Sequence, residues 1–135
     1  MGDRANVVVI DSYPQDAHPK EAVFLYTHWA GYELPETLRS ALLYGKSRWD
    51  DAPYLSRIIF QEMIGTSKSQ TGYGISSRLT DNEYDLLVVD VARQRIVFFP
   101  ESTYKDTGFA TLSEVAGVPL EEYVGKEQEW PQEPD

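Results

Sequence analysis

A chain of 135 residues that is 41% hydrophobic and 13% aromatic, with no cysteine and a formal net charge of −10, has the length of one domain and enough apolar material to build a core without staples. The missing cysteines exclude a disulfide framework, thiolate chemistry and Cys-ligated zinc, while the negative charge works against phosphate backbones and anionic lipid surfaces, which are bound through Lys and Arg. No basic-then-apolar leader pattern and no apolar run of membrane length is present, and Asn6 stands where a myristoylation signal needs Ser or Thr, so a soluble cytoplasmic domain is expected.

In chain order, residues 6–11 (NVVVID) read as a first strand, a β-branched run closed by turn formers. The proline-bearing segment 12–20 reads as a loop, and residues 23–28 (VFLYTH) as a second strand closed by Trp29-Ala30-Gly31. Residues 35–44 form a helix with proline in its first turn and Gly45 at its stop, and a second helix runs from an Asp51 cap to Ile64 before Gly65. Residues 66–74 are a polar loop, a candidate lid or a linker. Residues 75–79 read as a third strand, and residues 84–91 and 95–99 as a hairpin joined through Ala92-Arg93-Gln94. A short helix is expected over 111–116.

This order predicts an α+β fold: a mixed, mainly antiparallel sheet of about five strands, two main helices packed on one face, and a short C-terminal helix. A single domain over residues 1–124 is expected to precede an acidic, disordered tail over 125–135. From Thr111 onward there are seven acids and one base, so most of the excess charge lies in the last fifth of the chain. The runs VVVI, VFLY, LLVV and IVFF are continuously apolar where a one-sided sheet would alternate. Either the chain's own segments cover both faces or a partner does, and a homodimer is the favoured expectation.

The opening Gly2-Asp3-Arg4-Ala5-Asn6, followed by Tyr26-Thr27-His28-Trp29-Ala30-Gly31, resembles a group of uncharacterised bacterial and bacteriophage proteins that open Met-Gly-Asp/Asn-Arg-Ala and carry Tyr-X-His-Trp-X-Gly at a strand end. The resemblance extends through the helices and Gly72-Tyr73-Gly74-Ile75-Ser76 to about Phe99, and implies no activity. Relative to shorter members, residues 12–20 form an insertion, and the acidic tail is peculiar to this chain.

His28, at a strand end beside Tyr26 and Trp29, is placed where an imidazole could act as general base or ligand donor; a hydrogen-bonded structural histidine is the plainer alternative. Asp3 and Arg4 could contact an anion or substrate at the start of the first strand, or form a local ion pair. Arg78, Asp81 and Asn82 close the third strand, although Asp81-Asn82 is also explained by turn chemistry. Tyr13, Tyr26, Trp29, Tyr32, Tyr44, Trp49, Tyr54 and Tyr73 gather at loops and helix ends, where aromatics supply rigid contact area or half-buried packing.

Other chemistries lack their signatures. Two histidines, one of them His18 in a loop, do not make a zinc site. Gly72-Tyr73-Gly74 lacks the third glycine of a dinucleotide fingerprint, and neither a phosphate-binding Walker loop nor a nucleophile elbow is present. Neither metal nor cofactor is expected. The leading expectation is a non-enzymatic binding protein of phage or mobile-element type that engages a host protein or a small ligand, for example as an inhibitor of a host defence system. Its binding residues would be Asp3, Arg4, Tyr26, His28, Trp29, Arg78, Asp81 and Asn82. The alternatives are a small hydrolase or transferase with a pocket around His28, and an acidic nucleic-acid mimic. No direct nucleic-acid or membrane binding is expected.

Overall fold

The computed structural model describes residues 2–11 and 22–131. Its centre is a six-stranded mixed sheet in the order β3-β2-β1-β4-β5-β6, with β1 Ala5–Ile10, β2 Ala22–Thr27, β3 Tyr73–Ser76, β4 Leu86–Asp90, β5 Arg95–Phe99 and β6 Val118–Pro119. β1 and β4 are parallel, and every other pairing is antiparallel. The class is the α+β fold expected from the sequence, with six strands where about five were expected. The sixth is a two-residue edge containing proline, too short to leave a pattern. The third strand lies at Tyr73–Ser76, two residues before its expected start.

α1 Leu34–Tyr44 and α2 Ala52–Ile64 pack on one face of the sheet. Pro35 occupies the first turn of α1, where a missing N–H costs nothing. The Asp51 side chain caps α2 by accepting from the Tyr54 N–H at 3.3 Å, as the sequence indicated. Leu34, Leu38, Ala41 and Leu42 of α1, with Leu55, Ile58, Ile59 and Met63 of α2, face Val7, Val9, Leu25, Leu87, Val89 and Ile96 of the sheet. Alternate strand residues point the other way, and Val8, Ile10, Phe24, Leu86, Val88, Val97 and Phe99 form a second apolar layer.

The stretch after β5 covers this second layer. Pro100 leads into α3 Glu101–Thr107, and the chain then returns through Phe109 and a 3-10 turn at Leu112–Glu114. Phe109 packs against Phe24, Phe99 and Tyr104 with ring centroids 6.3, 5.5 and 4.8 Å apart. β1 and β4 are therefore buried along their whole length, which accounts for their unbroken apolar runs without a second copy of the chain. The expected homodimer loses its premise. The expected helix over 111–116 is only the 3-10 turn, while α3, whose polar sequence ESTYKDT carries no clear stripe, precedes it. No helix of the described residues is long and apolar enough to cross a membrane.

The chain then forms β6 and α4 Leu120–Tyr123, whose Tyr123 hydroxyl donates to the Pro35 carbonyl at 2.7 Å. Beyond it, the expectation of an unattached tail fails for residues 125–131. Trp130 stacks on Tyr84 at 4.6 Å, meets Phe98 edge-on, and donates its indole N–H to the Gly31 carbonyl at 2.7 Å. Gln128 adds hydrogen bonds to Glu36 and to the Tyr123 carbonyl. The remainder of that expected tail and the segment 12–20 lie outside the described residues.

Candidate functional site

The start of β1, the end of β2 and the loop before β4 meet at one end of the sheet. His28 N–H donates to the Gly72 carbonyl at 2.8 Å, Asp3 N–H to the His28 carbonyl at 2.7 Å, and Gly31 N–H to the Asp3 carbonyl at 2.9 Å. Thr27 Oγ1 accepts from the Ala30 N–H at 3.3 Å. The turn Thr27-His28-Trp29-Ala30-Gly31 is thus tied to β1, to the loop before β3 and, through Trp130, to the C-terminal segment. Gly31 of this turn and Gly2 ahead of β1 are steric requirements. A Cβ on Gly31 would lie 2.7 Å from the Asp3 carbonyl and 2.7 Å from the Tyr84 ring, and one on Gly2 would lie 2.9 Å from His28 Nε2.

Asp3, Arg4 and Glu83 are engaged within the cluster. Asp3 accepts from the Tyr84 hydroxyl through Oδ1 and from the Tyr32 N–H through Oδ2. Burial, reinforced by the bond to Asp3, pushes the Tyr84 phenol up to about 12. Arg4 donates to Glu83 Oε2 from its backbone N–H at 2.8 Å and from Nε at 3.0 Å. The backbone bond first and the guanidinium second hold the Glu83 carboxyl below its usual range. Asn6, fully buried, donates through Nδ2 to the Asp81 carbonyl at 2.8 Å and to Asn82 Oδ1 at 3.3 Å, and its Oδ1 has no partner among the described residues. Asp81 and Asn82 thus clamp the first strand through Asn6, in a stretch that is not itself assigned as a turn.

His28 is half-buried, and a 2.8 Å hydrogen bond joins its Nδ1 to the Tyr26 hydroxyl. Burial first, and the nearby Asp81 charge second, raise the Tyr26 pKa and keep the phenol protonated. When that phenol donates, Nδ1 is the acceptor and the ring proton sits on Nε2, the nitrogen that faces Gly2. The Trp29 ring packs edge-on against His28 at 4.3 Å, yet Trp29 is 59% exposed. Tyr32, three residues on, is also exposed.

Of the residues singled out in the sequence, Asp3, Arg4, Tyr26, His28, Trp29, Asp81 and Asn82 belong to this end of the sheet. Arg78 does not join their hydrogen-bond network. It follows the far end of β3, its side chain is exposed, and only its backbone N–H is engaged, by Ser76 Oγ at 3.2 Å. The aromatics divide as well: Tyr44 and Tyr54 are exposed on the helical side, Trp49 is held by its indole N–H on the Leu42 carbonyl, and Tyr13 and His18 lie outside the described residues. Sequence reasoning missed Glu83, Tyr84 and Trp130, none of which carries a local signal; only tertiary pairing reveals them. Two described cavities, one of about 310 Å³ bounded by Val9, Val23 and Pro53 and one of about 250 Å³ bounded by Tyr44, Arg57 and Glu62, lie away from this cluster.

At the opposite end of the sheet, Asp90 is fully buried and receives Arg93 Nη1 at 2.9 Å and Arg95 Nε at 3.0 Å. Arg95 also donates to the Val115 and Leu112 carbonyls at 2.8 and 2.7 Å. No buried polar side-chain atom of this constellation lacks a partner, and it fastens the β4-β5 hairpin to the covering segment. Among the described residues no group of His, Asp and Glu gathers as a set of metal ligands. No family model, curated protein or solved structure matches the chain.

Proposed function

We propose that this is a non-enzymatic binding protein that engages a host protein or a small ligand through Trp29 and the residues around it. The observation that carries this reading is the exposure of Trp29, 59%, on a turn whose backbone is hydrogen-bonded on both sides. A large aromatic held in place by a rigid frame loses little conformational freedom on binding, and such residues dominate binding energy. Tyr32 extends the surface. Occupying a host protein in this way would suit an inhibitor.

The hydrolase or transferase reading has less support. A general base needs a nitrogen directed at substrate, whereas His28 is bonded through Nδ1 and faces Gly2 through Nε2. Asp3 is engaged through both carboxylate oxygens, and Glu83 through its bonds from Arg4. The nucleic-acid mimic rests on net charge alone, most of which lies in the C-terminal fifth of the sequence.

The test compares capture of partners from a bacterial lysate by the wild-type chain, Trp29→Ala and Tyr44→Ala, the last removing an exposed aromatic elsewhere. Trp29→Ala should lose specific capture with a stability change within about 0.5 kcal/mol, the usual range for a surface position. Tyr44→Ala should retain it. Capture that survives Trp29→Ala, or is lost equally from both variants, overturns the assignment.

A further inference from the structure

The sheet has two edges of different character. β6 is protected: it is two residues long, contains Pro119, and runs directly into α4. β3 has neither proline, charge nor bulge within Tyr73–Ser76, and its Ile75 is 62% exposed.

The register shows which backbone groups β3 leaves open. Phe24 is opposite Ser76, Leu25 opposite Ile75, Tyr26 opposite Gly74 and Thr27 opposite Tyr73. His28 N–H bonds the Gly72 carbonyl, so the hydrogen-bonded pairs of this antiparallel ladder fall at Gly72, Gly74 and Ser76. The N–H and C=O of Tyr73 and Ile75 consequently point away from β2, toward an edge with no strand partner among the described residues. On one face of this edge stands the Ile75 side chain, while on the other Gly74 leaves open space beside Tyr26. Trp29 abuts the edge where it begins, with its ring 3.6 Å from a Cβ built on Gly72.

We infer that β3 is the docking edge of the proposed binding surface, and that its occupant is an extended segment of a partner protein, apolar at its centre and acidic at its ends, added as a seventh strand. Such pairing draws affinity from main-chain hydrogen bonds and specificity from alternate side chains. The acidic ends follow from charge. Residues 69–77 carry no charged side chain, while Lys68 and Arg78 flank them, exposed and without a salt bridge among the described residues. At physiological salt, charges act over about 8 Å, so for a strand laid along this uncharged edge the two cations are the nearest charges in sequence at either end. A second copy would bring the same two cations and a net charge of −10.

The inference deepens the Trp29 reading and has its own test. Amide hydrogen exchange is followed by NMR in the full chain, with and without a synthetic peptide of alternating Val and Thr closed at each end by Glu. The peptide should slow exchange of the Tyr73 and Ile75 amides by about tenfold or more, as expected for a newly bonded amide. Gly74 and Ser76, already bonded to β2, should change little. Ile75→Pro removes an outward N–H without touching the ladder and should abolish the effect, and Ile75→Lys should weaken it should the proline disturb the strand. No protection, equal protection by a Lys-ended peptide, or protection that persists in both variants overturns the inference. Protection that grows with protein concentration in the absence of peptide assigns the edge to a second copy and likewise overturns it. If Trp29→Ala abolishes capture while the peptide protects nothing, the Trp29 surface stands and strand addition falls.

Discussion

Tyr84 shows how a residue with no signal of its own becomes structural. Its hydroxyl holds Asp3, its ring supports Trp130, and its edge presses on the position where Gly31 must lack a Cβ. Its phenol is raised to about 12 in the folded state, against about 10 in an unfolded chain. A group raised on folding contributes stability that is complete below its unfolded pKa and lost as pH climbs through its folded pKa. Stability should therefore decline from about pH 10 to about pH 12. Burial raises Tyr123 as well, so Tyr84→Phe should flatten this decline without abolishing it, and should cost about 1–3 kcal/mol at neutral pH because Asp3 loses a donor. Denaturant unfolding of both proteins across that range is the measurement. An unchanged alkaline slope in Tyr84→Phe would show that the Tyr84 phenol is not raised on folding.

At the scale of elements, the informative segment is the one that has no regular structure. Residues 125–131 are acidic and polar except for Trp130, a composition that reads as unattached. Binding energy in such a segment can nevertheless be concentrated in one side chain. Trp130 combines ring stacking, an edge contact and a hydrogen bond, and Gln128 adds bonds to Glu36 Oε1 and the Tyr123 carbonyl. Ending the chain at Gly125 should lower the thermal midpoint by about 3–10 °C, the shift expected for a loss of about 1–2 kcal/mol in a domain of this size. Trp130→Ala should reproduce most of it. A midpoint unmoved by either change would mean that α4 alone holds this end of the fold.

Over the whole molecule, the sheet is a central layer with different covers, α1 and α2 on one side and the α3-to-Leu112 stretch on the other. The second cover is thinner and depends on Phe109, 6% exposed. Phe109→Asp places a carboxylate among Phe24, Phe99 and Tyr104 and should destabilise by more than about 3 kcal/mol. It should also raise the mass seen by light scattering above that of the wild type, because it uncovers apolar sheet. A stable variant with unchanged mass would show that α3 shields the sheet without it.

What the sequence by itself determined was local: the apolar runs that became β1, β2, β4 and β5, the Asp51 cap, the proline-led α1, and the turn that carries His28 and Trp29. Each depends on neighbours within a few residues, so periodicity and turn chemistry suffice to find it. It also brought Asp3, Arg4, Tyr26, His28 and Trp29 under one suspicion, because a strand start and a strand end were expected to be adjacent. Only the tertiary structure decided that Arg78 lies outside the hydrogen-bond network around His28, that the chain covers its own second face, and that Glu83, Tyr84 and Trp130 join the cluster around Asp3, Arg4 and Gly31. Those facts depend on contacts between residues up to 99 positions apart, such as Gly31 with Trp130. They also depend on the parallel placement of β4 beside β1, which the sequence pattern of neither strand specifies.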